Sequence, residues 1–194
     1  QLFKISNNDS SEKILPKSKE IALRLILVYT TLTIFCATSY KIFGMNFFDS
    51  ITHSMTTIAT GGFSNYNESL GFFNSRFIES SAIIFILLGS IPFISYIKFL
   101  NGDREIFFKD IQIKTFLKIV FFSIVILSIY LNFNGSIKFD FIAVLFNVIS
   151  ILTGTGYVNA EFDSWGSFPL TIFLALMFIG GCAGSTTCGI KIFR

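Results

Sequence analysis

Two Thr/Gly-rich stretches, each set between long apolar runs, constrain this chain more than any other feature. The first is Ala59-Thr60-Gly61-Gly62-Phe63 and the second is Thr153-Gly154-Thr155-Gly156-Tyr157. The pairs Gly62-Phe63 and Gly156-Tyr157 lie 94 positions apart, and the same shift overlays the hydrophobic segments on either side. The chain therefore reads as a tandem repeat of one unit: apolar helix, short amphipathic helix, Thr/Gly turn, apolar helix. Irregular backbone at membrane depth is tolerated only where it is buried in protein or lines a water-filled path. Rings of backbone carbonyls in such a path form cation filters.

Composition places the chain in a bilayer without help from any motif. It is 52% hydrophobic and only 14% charged, with mean hydropathy +0.68 and 26 Phe. Soluble domains carry about 25% charged residues. The net charge is +3, but 12 of the 15 Lys and Arg fall in segments that share one side if the chain crosses at each apolar run. Basic residues favour the cytoplasmic side, so the N-terminus is expected there and both Thr/Gly turns are expected to face outward. The basic segments are flanks of spans rather than nucleic-acid patches. Cys36, Cys182 and Cys188 lie in or beside apolar runs without zinc-ligand spacing and read as reduced packing residues. The first 20 residues show no signal-peptide pattern. A start at Gln1 and a stop at Arg194 straight after an apolar run are what a fragment of a longer protein would show.

The expected organisation has four parts. Residues 1–20 form a cytoplasmic N-terminal segment, 21–100 a first helix–pore-loop–helix repeat, 101–112 a cytoplasmic linker, and 113–194 a second repeat. Ile21–Phe43, Phe77–Leu100 and Ile113–Phe133 are long enough to cross a hydrocarbon core of about 30 Å at ~1.5 Å per residue. Pro92 is expected to kink the second of these. Phe47–Ile58 and Phe139–Leu152 are too short to cross and read as re-entrant helices. Phe168–Ile179 starts a fourth span that runs into the Gly-rich stretch 180–189. Trp165 suits an interfacial belt.

Chemistry concentrates at three places. A short helix whose C-terminus points into the membrane puts partial negative charge beside its turn. Carbonyls of Ala59, Thr60, Gly61 and Gly62, and of Thr153, Gly154, Thr155 and Gly156, are candidate cation ligands. Neither turn carries Asp or Glu, so neutral oxygens would suit K⁺ or Na⁺ better than Ca²⁺ or Mg²⁺. The plain alternative is a helix-breaking turn, against which the recurrence in both repeats counts. In the third place, Gly180, Gly181, Gly184, Ser185, Thr186, Thr187 and Gly189 form a non-helical break within a span, suited to gating a path. Close helix packing through the small-xxx-small pair Gly180/Gly184 is the alternative. A phosphate loop is excluded by the missing Gly-Lys-Ser/Thr ending. His53, four residues after Asp49, reads as a helix-holding hydrogen bond rather than a proton-coupling group. Lys41, Arg76 and Lys138 sit near helix ends, where they can snorkel. No Ser–His–carboxylate arrangement supports hydrolase chemistry, and the chain is not expected to be an enzyme or to hold an organic cofactor.

The three ordered motifs, 58–64, 153–157 and 179–186, together with the short helices before the turns, resemble the TrkH/KtrB potassium transporter family over nearly the whole chain. The resemblance implies an all-α membrane protein of tandem helix–pore-loop–helix repeats with re-entrant pore helices, K⁺-channel-like. It implies four such repeats around one pore, of which this chain matches the second and most of the third. It implies Gly62 and Gly156 as filter glycines, and residues 180–189 as an intramembrane gating loop. It also implies a homodimer in the cell inner membrane, with a cytoplasmic nucleotide-binding regulatory subunit. Gly154 stands where the family commonly has Thr, and Cys188 where it commonly has Gly. Two repeats make half a ring, so the remaining repeats of the same protein are expected elsewhere in it. An ion-coupled (Na⁺ or H⁺) secondary transporter and a non-conducting truncated remnant remain as alternatives. The first needs an ionisable residue on the pathway, and the span interiors offer almost none.

Overall fold

The structure, a computed structural model, describes residues 11–134 and 139–192. Among these residues it is all-helical, with one isolated bridge between Ile179 and Ile190. Lys4, Lys138 and Arg194, which contribute to the charge asymmetry, lie outside the described residues.

Helix α1 (Ser11–Ile42) and helix α6 (Ile111–Asn134) contain the two uninterrupted stretches long and apolar enough to cross a bilayer, Lys19–Ile42 and Ile111–Phe133. Between them lie α2 (Phe47–Ile58), α3 (Arg76–Gly89), α4 (Phe93–Leu100) and the short α5 (Ile106–Lys109). After α6 come α7 (Phe141–Thr153) and α8 (Ser167–Phe178). Large apolar side chains such as Leu27, Phe35, Phe121 and Phe133 stay exposed on α1 and α6. An apolar exterior of this extent is the surface of a protein that faces lipid or further protein.

The two re-entrant helices start the same way. Asn46 caps α2 by accepting the Asp49 amide on its Oδ1 (2.7 Å). Asp140 caps α7 by accepting the amides of Ile142 (3.1 Å) and Ala143 (3.3 Å). A side-chain oxygen at this position satisfies amides that have no partner within the helix. At 12 and 13 residues, each extends only about 18–20 Å. Helix α7 is the more buried of the two because α3, α6 and α8 pack around it. Arg76, at the start of α3, is ion-paired with Glu79 (3.1 Å) and with Asp140. It ties the first repeat to the cap of the second pore helix rather than snorkelling.

Pro92 does more than kink the second span. Helices α3 and α4 meet at 84°. The carbonyls and the amide freed at this break find partners in the Gly-rich stretch, as buried backbone must. Thr186 N–H donates to Gly89 O (3.3 Å), Cys182 N–H to Ser90 O (3.4 Å), and Phe93 N–H to Gly184 O (3.0 Å).

Candidate functional site

The two Thr/Gly turns are built by the same hydrogen bonds, residue for residue, at the 94-position offset. Gly61 N–H donates to Thr56 O (2.8 Å), as Thr155 N–H does to Ser150 O (2.9 Å). The Thr56 hydroxyl donates to Phe63 O (2.9 Å), as the Ser150 hydroxyl does to Tyr157 O (2.7 Å). Each turn is thus clamped at both ends to the last turns of its own helix. Gly62, Gly154 and Gly156 all have positive φ (66°, 72° and 81°), and Thr60 has 48°. These left-handed conformations cost a residue with a side chain about 1–2 kcal/mol. Thr60 holds its conformation while its hydroxyl donates to Ala59 O (2.8 Å).

The turns touch. A Cβ built on Gly62 would lie 1.8 Å from Thr155 O and 2.7 Å from its carbonyl carbon. The Thr155 carbonyl therefore approaches the first turn at the one point where a bare Cα leaves room. Gly156 has nothing within 4 Å of such a Cβ and is exposed. Gly62 and Gly156 both line a cavity of about 700 Å³, whose wall also includes Tyr66, Glu68 and Glu161. Buried hydroxyls brace the turns from behind. Tyr157 reaches across to the first repeat and donates to His53 O (3.2 Å) beside Thr56 and Thr57. The Thr57 hydroxyl donates to His53 O (2.7 Å), so the Tyr40 hydroxyl 2.8 Å away is its donor.

His53 is fully buried, with Nδ1 2.9 Å from Asp49 O and Nε2 2.9 Å from the Ser64 hydroxyl. It holds the helix to the segment after the turn, as expected of a helix-holding hydrogen bond. Asn147 takes the equivalent position in the second repeat and donates to Asn159 Oδ1 (2.8 Å). The Asp49 carboxylate accepts Asn46, Asn65 and the Tyr66 hydroxyl (2.7 Å). That last bond raises the Tyr66 phenol above its usual pKa.

The Gly-rich stretch 180–189 folds back on itself directly below both pore helices. Gly180 N–H donates to Ile190 O (2.8 Å) and Ile190 N–H to Phe178 O (3.0 Å). The Thr187 hydroxyl accepts Gly181 N–H (3.1 Å), lies 2.8 Å from the Ser185 hydroxyl, and is held by Lys191 (3.0 Å). The loop reaches the first repeat through Thr186, whose hydroxyl donates towards Ile58 O (2.9 Å) and Gly89 O (3.0 Å). It reaches the second through Cys188, whose N–H donates to Thr153 O (3.3 Å). Ala183 N–H donates to Gln112 Oε1 (3.0 Å) at the start of α6. Gly184 is exposed with φ 77°, and Gly189 (φ 82°) lies against Gly180. Every predicted site residue falls in one of three backbone segments: the two turns, which abut at Gly62 and Thr155, and the loop, which bonds to Ile58 O just before the first turn and to Thr153 O of the second. Among the described residues no cluster of His, Cys, Asp or Glu is placed to hold a metal ion.

Thr186 offers a direct test of this cross-link. Thr186→Val keeps the shape and the Thr186 N–H bond to Gly89 O but leaves Ile58 O without the hydroxyl, at a cost of about 1–3 kcal/mol. The melting temperature of the purified full-length protein is expected to fall, and Thr186→Ser is expected to restore it.

Comparison with known proteins then decides the family. The family model for TrkH, described as cation transport protein, matches residues 3–194. This chain belongs to the TrkH family. Members of that family are transport proteins, not enzymes. The Trk system potassium uptake protein TrkI of Halomonas elongata is 36% identical over 196 residues, covering 100% of this chain and 40% of the relative. TrkH of Escherichia coli K12 is 33% identical over 186 residues, covering 94% of this chain and 38% of the relative. The crystal structure of the potassium transporter TrkH from Vibrio parahaemolyticus superposes with TM-score 0.88 at 34% identity, covering 92% of this chain and 40% of that one. The fold is thus that of a K⁺-channel-like membrane transporter. The chain spans about two fifths of the length of these relatives.

Sequence reasoning named the turns and the loop as separate motifs. It assigned no role to the hydroxyls of Thr56, Ser150, Tyr40 and Tyr157 or to the Gln112 amide. The Thr56/Ser150 pair was discoverable, since both carry a hydroxyl at the 94-position offset. Gln112 carried no signal, because its partner lies 71 residues away.

Proposed function

We propose that the protein containing this chain moves K⁺ across the cell inner membrane, and that the two Thr/Gly turns supply half of its selective filter. One observation carries this reading: two turns clamped by the same pair of hydrogen bonds meet backbone to backbone at Gly62 and Thr155, each at the C-terminal end of a re-entrant helix. Those helix ends bring partial negative charge to the turns. Carbonyls of Ala59–Gly62 and Thr153–Gly156 then replace the hydration shell of a monovalent cation. The cavity above the turns carries Glu68 and Glu161 and draws cations toward them. The relatives' description as potassium uptake proteins supports K⁺ as the ion.

The loop 180–189 is the gate in this reading. It lies below both turns and bonds to both pore helices, so its displacement would open the space under the filter. In this reading the first repeat comprises residues 21–100, the linker 101–112 and the second repeat 113–194. The remaining repeats of the same protein complete the ring, the N-terminus lies in the cytoplasm, and the assembly is a homodimer with a cytoplasmic nucleotide-binding regulatory subunit. His53 has both ring nitrogens engaged, which favours a channel-like path over proton coupling through that residue.

The test is rubidium-tracer uptake by the complete protein in bacterial cells that lack their own K⁺ uptake. Saturable uptake competed by K⁺ is the expected result. No uptake from protein that has reached the membrane with its partner present would overturn the reading.

A further inference from the structure

We propose that Cys188 of the gating loop is a positioning residue for the second filter turn, doing for that turn what Thr60 does for the first. This rests on reading the turns as filter and the loop as gate.

Position 60 in the first repeat corresponds to 154 in the second, and Ala59 to Thr153. In the first turn, the Thr60 side chain occupies its own place and its hydroxyl donates to Ala59 O (2.8 Å). The second turn has no side chain at Gly154. The equivalent carbonyl, Thr153 O, is met instead by Cys188 N–H from the loop (3.3 Å). The space is met from the loop as well: a Cβ on Gly154 would lie 2.9 Å from Cys188 Cβ and 3.6 Å from its nitrogen. The first turn supplies that volume and that hydrogen bond itself. The second borrows both from the gate. Movement of the loop away from α7 therefore strips the Thr153 carbonyl of its donor and removes the side chain packed against Gly154. The first turn keeps its own Thr60 bond. Gate and filter are coupled in this way through one turn.

A double-substitution cycle in the full-length protein tests this. Gly154→Thr restores the residue of the first repeat but drives its Cβ into Cys188, and uptake of rubidium is expected to fall by about tenfold, the factor equivalent to an overpacking cost of 1.4 kcal/mol. Cys188→Gly alone keeps the N–H bond to Thr153 O but takes away the side chain packed against Gly154, and is expected to lower uptake by a smaller factor than Gly154→Thr. Gly154→Thr with Cys188→Gly is expected to recover most of the loss, together with the preference for K⁺ over Na⁺ as competitor. Melting temperatures of the four purified proteins should show the same non-additive pattern. Gly154→Thr indistinguishable from the parent overturns the proposal. So does a double variant no better than Gly154→Thr alone, including the case in which both fail to accumulate. Absence of uptake in the parent itself would instead strike the filter reading, and the melting-temperature cycle would still decide whether the two residues are coupled.

Discussion

Gly62→Ala is expected to reduce rubidium uptake by the full-length protein by about tenfold or more, a larger loss than any other single filter substitution. Two costs act together. The residue has φ 66°, so any side chain meets left-handed strain of about 1–2 kcal/mol. The added methyl also falls 1.8 Å from Thr155 O and 3.2 Å from the Gly156 carbonyl carbon, which are backbone atoms of the other turn. Neither can swing aside as a side chain would, because Thr155 N–H and Gly156 N–H both donate to Ser150 O and the Ser150 hydroxyl holds Tyr157 O. The turns must separate, and their carbonyls must re-aim. Gly156→Ala is the control. It meets only the backbone strain, since nothing lies within 4 Å of its Cβ, and its loss should be clearly smaller. Equal losses in the two variants would contradict the meeting of the turns at Gly62.

Gly180→Ala is expected to be the most damaging change in the loop. Its backbone φ is ordinary for an L residue, so the cost is steric alone. The methyl would lie 2.2 Å from Cys188 O and 2.9 Å from the Gly189 carbonyl carbon. The two arms of the loop are pinned there by Gly180 N–H to Ile190 O (2.8 Å) and Ile190 N–H to Phe178 O (3.0 Å). Overpacking of this kind costs about 1–3 kcal/mol or more. The melting temperature of the purified protein should fall, and regulated uptake should be lost as the loop fails to seat. Gly184→Ala sits at the exposed end of the same loop with no atom within 4 Å, and carries only the strain of φ 77°. It should be the milder of the two by both measurements. The reverse order would mean that the arms of the loop do not close on each other at Gly180.

Much of this architecture was legible because its signals are local or periodic. Hydropathy alone marks Ile113–Phe133 as a crossing helix, and the structure starts it two residues earlier, at Ile111. The length of 47–58 marks it as re-entrant, with the polar Asn46 where the helix begins, whereas Asp140, inside the expected helix Phe139–Leu152, is the cap of a helix that runs from Phe141 to Thr153. The recurrence of Thr/Gly after each short helix identified both turns. Pro92 flagged a kink, but its size depended on a partner. An 84° break leaves carbonyls at Gly89 and Ser90 that only the loop, some 90 residues later, satisfies.

The sequence by itself determined that the chain is a membrane protein of two like units, each carrying a glycine-bearing turn, because apolar length, glycine's access to positive φ and repetition are properties of segments. Tertiary structure alone decided that the turns abut at Gly62 and Thr155, that Thr186 and Cys188 bind the loop to both pore helices, and that Gln112 holds it from α6. Each of these contacts has a backbone atom on at least one side, and backbone atoms look alike at every residue. No residue type announces which carbonyl an amide will meet. That is settled only when packing brings the two within about 3 Å.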